Sequence, residues 1–165
     1  MLVQPAKLTK VEQLVGKIVA NRARYESVEQ AVYVPWYVIG VIHYREATLS
    51  FEHHLYNGDP LTARTVHVPI GRPVTGEPPF TWEESAIDAL RYEGLDRVTD
   101  WSVPAMLDHL ERYNGLGYRS HHINTPYLWS FTNQYSKGKY VADHGFDINA
   151  VDQQCGCAPL LQKLL

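Results

Sequence analysis

Apolar positions recur at helical spacing early in the chain, where Val11, Leu14, Val15, Ile18 and Val19 share one face. Thr9-Lys10-Val11-Glu12 before them has capping-box form, in which hydroxyl and carboxylate satisfy open amides reciprocally. The block "PWYVIGVIHYREA" is apolar nearly all round, which predicts a core helix opened by Pro35. The pattern then shortens. "LSFEHHLYNGDPLTARTVHVPI" reads as two extended runs about an Asn57-Gly58 turn, a strong hairpin signal, with Pro60 and Pro69 bracketing the second run. "GRPVTGEPPF" is a loop stiffened by Pro73, Pro78 and Pro79.

A second capping box, Thr81-Trp82-Glu83-Glu84, predicts a helix to about Glu93 that stops at Gly94. Ser102-Val103-Pro104 opens another, with Met106, Leu107 and Leu110 inward and Asn114-Gly115 at its end. Beyond it the pattern predicts loop, a short helix near residues 127–134, more loop, and a helical pair over 148–164 capped by Asp147. The expectation is a mostly helical α+β fold with one small β-hairpin, formed as a single domain over 1–165.

Composition narrows the function classes. The chain is 45% hydrophobic and 20% charged, the balance of a folded globular domain. A net charge of -3 supplies no basic field for nucleic acid. No run approaches the roughly 20 apolar residues of a membrane span. No basic-then-apolar leader precedes residue 20, so synthesis and retention in the cytoplasm are expected. Cys155 and Cys157, one residue apart, make no disulfide framework and read as inert thiols.

Candidate chemistry gathers where the core helix ends. A carboxyl there, at Glu46, is costly unless paired or protonated, and a partly buried carboxyl with a raised pKa is what a general acid for glycosidic cleavage requires. The hairpin returns Asp59, Thr62 and Thr65 toward the same end, and two carboxyls across a cleft equip most glycoside hydrolases. Glu52 is a rival acid. Arg45 or Arg64 could instead pair with Glu46, and Asn-Gly-Asp-Pro is ordinary turn chemistry for Asp59.

A helix ending in Glu, a hairpin carrying Asp and Thr, and further helices resemble the lysozyme superfamily, phage-type endolysins above all. "HYREATLSFEHHLYNGDPLTARTVHVPIGRP" and "YLWSFTNQYSKGKYVADHGFD" are also similar to phage and bacterial lysozyme-family proteins, over about residues 35–160. The resemblance implies a lysozyme-like fold with Glu46, Asp59 and Thr65 as catalytic groups. Thr65 follows Asp59 by six positions as in that family, whereas the 13 positions from Glu46 to Asp59 exceed the family's usual spacing. It further implies muramidase action on the β-1,4 bonds of peptidoglycan at the cell wall, reached after release by a holin-type partner or by lysis. The protein is expected to act as a monomer without a cofactor.

His53-His54 and His121-His122 raise a metal site, but neighbours on a strand face opposite ways and no His-Glu-x-x-His pattern occurs, so no metal is expected. His54 is expected beside the cleft instead. Tyr127, Trp129 and Tyr135 offer rings for sugar faces, and Asn133 offers an amide for hydroxyls; the same rings would also serve in a core. The alternatives are a lytic transglycosylase or chitinase-like enzyme, a non-catalytic cell-wall glycan-binding module, and a histidine-metal hydrolase.

Overall fold

A computed structural model describes residues 1–142 and 145–165. The described residues are mostly helical with one small antiparallel sheet. The elements are α1 (Leu8–Ala20), α2 (Arg22–Val32), α3 (Trp36–Ala47), α4 (Trp82–Tyr92), α5 (Val103–Asn114), α6 (Gly117–Ser120), α7 (Pro126–Trp129), β1 (Lys139–Ala142), β2 (Gly145–Asp147) and α8 (Cys157–Leu164). They form two compact units, one of Met1–Lys17 with Ser102–Leu165, the other of Ile18–Trp101.

In the Ile18–Trp101 unit α3 is buried on every side, through Val38, Ile39, Val41, Ile42, His43, Tyr44 and Ala47. Gly40 makes this possible, because a Cβ there would stand 2.6 Å from the Ile18 side chain and 3.4 Å from the Tyr25 ring. Pro35 sits at the N-cap, one residue ahead of the first turn in which the sequence places it. The helix ends in two consecutive left-handed residues, Thr48 at φ 50° and Leu49 at φ 64°. Neither is glycine, so each costs about 1–2 kcal/mol. Backbone bonds from Thr48 N–H to the Tyr44 carbonyl and from Ser50 N–H to the Ala47 carbonyl hold this stop.

The Thr81 capping box forms with both halves in place and starts α4. Helix α2, polar over most of its length, has no counterpart in the sequence prediction; it buries only Tyr25, Val28 and Val32. Arg24 on α2 chelates Glu83 of α4 at 2.6 and 3.0 Å.

The other unit holds α5, which spans the expected residues and buries Met106 and Leu110 but leaves Leu107 half-buried, and the sheet, in which Lys139 pairs with Asp147 and Tyr140 with Phe146. The predicted short helix shrinks to α7. Thr9 lies inside α1 rather than capping it, since the helix begins at Leu8. Asp147 also falls short of a helix cap: its carboxylate accepts from Asn149 N–H at 2.8 Å in a turn, and one helix, α8, follows only after Gly156.

The sheet is not the predicted hairpin. Around Asn57-Gly58 the chain does turn, with Gly58 at φ 77°, but only one bridge forms, His53 with Pro60. Pro60 offers no N–H to extend a ladder, and Asp59 takes the following segment into a loop of its own.

Candidate functional site

Glu46 lies in the last turn of α3, half-buried, one residue before buried Ala47. The Asn57-Gly58 turn is folded onto this helix end: a Cβ on Gly58 would sit 3.1 Å from the Glu46 carbonyl oxygen. The turn residue thus has two reasons to be glycine, its positive φ and this close approach.

Just past the helix, Phe51 anchors the chain. Its ring lies under the Arg24 guanidinium at 3.8 Å, and 4.6 and 4.9 Å from the rings of His43 and Trp82. His43 is fully buried on α3 and bridges Tyr25 Oη at 3.0 Å and the Ser50 carbonyl at 2.9 Å. A carbonyl only accepts, so Nε2–H donates to Ser50, and neutral Nδ1 accepts from Tyr25. Burial pushes His43 down to about 4, against the Ser50 hydrogen bond and with help from the Arg24 charge. This neutral imidazole fixes the strained exit of α3.

A cleft of about 520 Å³ opens beside this exit, walled by Phe51, Glu52, His53, Thr62, Pro79 and Phe80 among others. Glu52 and Thr62 are exposed and His53 half-exposed, with its Nδ1 2.7 Å from Ser50 Oγ. The cleft offers a carboxylate, an imidazole and a hydroxyl over apolar walls, a mixture suited to a ligand with both polar edges and apolar faces. Of the residues singled out from the sequence, Thr62 and the rival acid Glu52 line it; Glu46 is not among its walls.

His54, expected at the cleft wall, is a core residue instead. It is fully buried, Nε2–H donating to the Ala63 carbonyl at 2.8 Å and Nδ1 meeting Ser85 Oγ at 2.8 Å, so neither nitrogen remains for a ligand. The outward member of the doublet is His53, which strand alternation alone could not choose.

Asp59 and Thr65 are engaged in holding the loop that follows them. Asp59 is 7% exposed, and its oxygens accept from Val66 N–H at 2.9 Å, His67 N–H at 3.0 Å and the His67 ring at 2.6 Å. Burial alone would push this carboxyl up, but the His67 and Val66 hydrogen bonds outweigh it and hold it at about 2. Thr65 is buried; its hydroxyl donates to the Pro69 carbonyl and accepts from Arg72 N–H at 2.9 Å. Arg72 in turn pairs with Asp88 at 2.9 Å, and Tyr56 Oη donates to the same carboxylate.

Tyr127, Trp129, Asn133 and Tyr135 belong to the other unit. Tyr127 and Tyr135 are buried, and Tyr135 Oη donates to the Gly138 carbonyl at 3.1 Å and accepts from Asp152 N–H at 3.2 Å. Asn133 is exposed, and its side-chain oxygen accepts from Leu2 N–H at 2.9 Å. Trp129 is half-buried and lines an apolar groove with Met106, Leu107 and Leu161. Both tyrosines therefore present packing roles, while Asn133 and Trp129 reach the surface. The "YVADHGFD" stretch of the resemblance lies partly outside the described residues, at 143–144.

Among the described residues no three His, Cys, Asp or Glu side chains gather as a metal ion requires, and no helix is long and apolar enough to cross a membrane. The sequence matches no protein-family model, and comparison with curated proteins and with solved structures returns no match either.

Proposed function

We propose that the protein is a lysozyme-like hydrolase of bacterial cell-wall glycan in which Glu46 is the general acid. The observation that supports this most directly is the setting of Glu46: a half-buried glutamate in the last turn of a helix whose run from Val38 to Tyr44 is wholly buried, with a glycine turn seated on its carbonyl. A carboxyl at that place is suited to protonating the oxygen that leaves when a glycosidic bond breaks. As the bond lengthens, positive charge grows at the anomeric carbon. In this reading Asp59 and Thr65 act by shape, keeping the 59–72 loop in one conformation, because their hydrogen-bonding capacity is largely spent on that loop. Glu52, on the cleft wall, takes the place of second carboxylate and activates water.

The engagement of Asp59 favours a second reading as well, lytic transglycosylation. One carboxyl that first protonates the leaving oxygen and then accepts a proton from the sugar's own hydroxyl needs no partner carboxylate and leaves an anhydro end. The wall would be reached after release from the cytoplasm by a holin-type partner or by lysis.

Clearing of cell-wall suspensions by wild type and Glu46→Gln tests the proposal. A general acid contributes roughly 10²–10⁴-fold, so the variant should lose at least about a hundredfold in rate with its melting temperature kept. Equal clearing by both, or none by wild type on any peptidoglycan, overturns it.

A further inference from the structure

The loop after Thr65 is built inside out. Val66, Val68, Ile70 and Val74 are 68%, 81%, 71% and 61% exposed, four large aliphatic side chains facing solvent within nine residues. Single exposed apolar residues need no explanation, but a cluster of this kind marks a contact surface. Much of the polar backbone of the same loop points inward. Asp59 accepts from the Val66 and His67 amides, and Asn57 Nδ2 donates to the His67 and Val68 carbonyls at 3.2 Å each. Thr65 takes the Pro69 carbonyl and the Arg72 amide, and Arg64 takes the Pro73 carbonyl. Pro69 and Pro73 carry no N–H at all.

We propose that this loop is a membrane-contact element whose aliphatic tip enters the outer hydrocarbon of a lipid bilayer. Three features favour lipid over a protein partner. Hydrocarbon accepts only backbone whose polar groups are satisfied internally, and the bonds above do much of that. Protein interfaces draw their binding energy from Trp, Tyr and Arg, with Val under-represented, whereas the exposed side chains on this tip are Val and Ile with a single imidazole, His67, paired to Asp59. The tip is also pinned by Asp59, Thr65 and Arg64, so entry into a fluid phase costs little further ordering. The inference stands apart from the glycan reading and survives or fails without it.

Flotation of the full chain with vesicles tests it, using phosphatidylcholine alone and phosphatidylcholine with phosphatidylglycerol. The wild type should float with both. Val68→Ser/Ile70→Ser should bind at least about tenfold more weakly, on the scale of aliphatic burial, and Ile70→Trp should bind more tightly; thermal melting checks that both variants fold. Flotation of neither vesicle type by the wild type overturns the proposal. So does equal flotation of the serine variant, which would mean charge-driven binding elsewhere. A wild-type dimer in ultracentrifugation that the serine variant dissolves, without flotation, would assign the loop to a second copy of the chain and equally refute it.

Discussion

Two carboxylates stand a few residues apart in the Ile18–Trp101 unit and have opposite lives. Asp59 is buried and takes three donors; Glu52 is exposed on the wall of the cleft. The histidines repeat the contrast: His54 is enclosed with both nitrogens bonded, and His53 faces the cleft. The inner pair of residues is committed to one loop and one packing arrangement, and the outer pair can meet a ligand. Residue type does not separate the two sets. Hydrogen-bond accounting does, because a group whose partners all come from its own chain has little left to give a substrate.

The largest effect that would break this contrast is on stability. His54→Ala leaves the Ser85 hydroxyl and the Ala63 carbonyl unpartnered beside a new cavity, and should cost about 3–4 kcal/mol in urea unfolding. His53→Ala should stay within about 0.5 kcal/mol; equal costs would erase the distinction.

Acid should then unfold the protein in two steps. His43 is held at about 4 against an ordinary 6.5. The unfolded chain therefore binds the proton that the native one refuses, and stability falls as pH drops from about 6.5 to 4, by on the order of 3 kcal/mol. Asp59, held at about 2 against 3.8, continues the loss as pH falls from about 4 toward 2. A His43→Gln variant should lose the first step and keep the second, read from unfolding free energies across pH.

Asp59→Asn should cost about 1.5–3 kcal/mol of stability while wall-clearing rate per folded molecule changes less than about threefold. Glu52→Gln should do the reverse, with melting unchanged and rate down about tenfold, about 1.4 kcal/mol of transition-state stabilisation. If Asp59→Asn instead removed activity without destabilising, Asp59 would be the working carboxylate and the contrast would invert.

Much of the helical frame was legible because its signals are local. Pro35, the Thr81–Glu84 box with Gly94 beyond, and Ser102-Val103-Pro104 each act within one turn, and α3, α4 and α5 follow them closely. Helix α2 escaped because Tyr25, Val28 and Val32 are its only buried residues amid polar ones, although their spacing of three and four was there to read. Strands of four and three residues, such as β1 and β2, are too short to display alternation. The turn at Asn57-Gly58 was readable, yet turn residues do not say whether strands flank them; Pro60 and the Asp59 hydrogen bonds decided for a loop.

Of the site, the position of Glu46 at the end of a buried helix was legible from "VIGVIHYREA". Which histidine faces inward was not, since it depends on Ser85, thirty-one residues away on α4. Nor was the engagement of Asp59, which requires the loop to curl so that His67 and Val66 return to it. The cleft beside Phe51 could have been suspected from Glu52 and His53 preceding the turn, but its walls at Pro79 and Phe80 come from a separate segment.

The central claim is that Glu46 gives its proton to a glycosidic oxygen, and the most direct test is the chemistry of the products. Purified peptidoglycan should be cut by wild type into muropeptides of defined mass, hydrated or anhydro according to which mechanism operates. Glu46→Gln, folded and melting with the wild type, should release none above background. Release of the same fragments by that variant at a comparable rate would contradict the account.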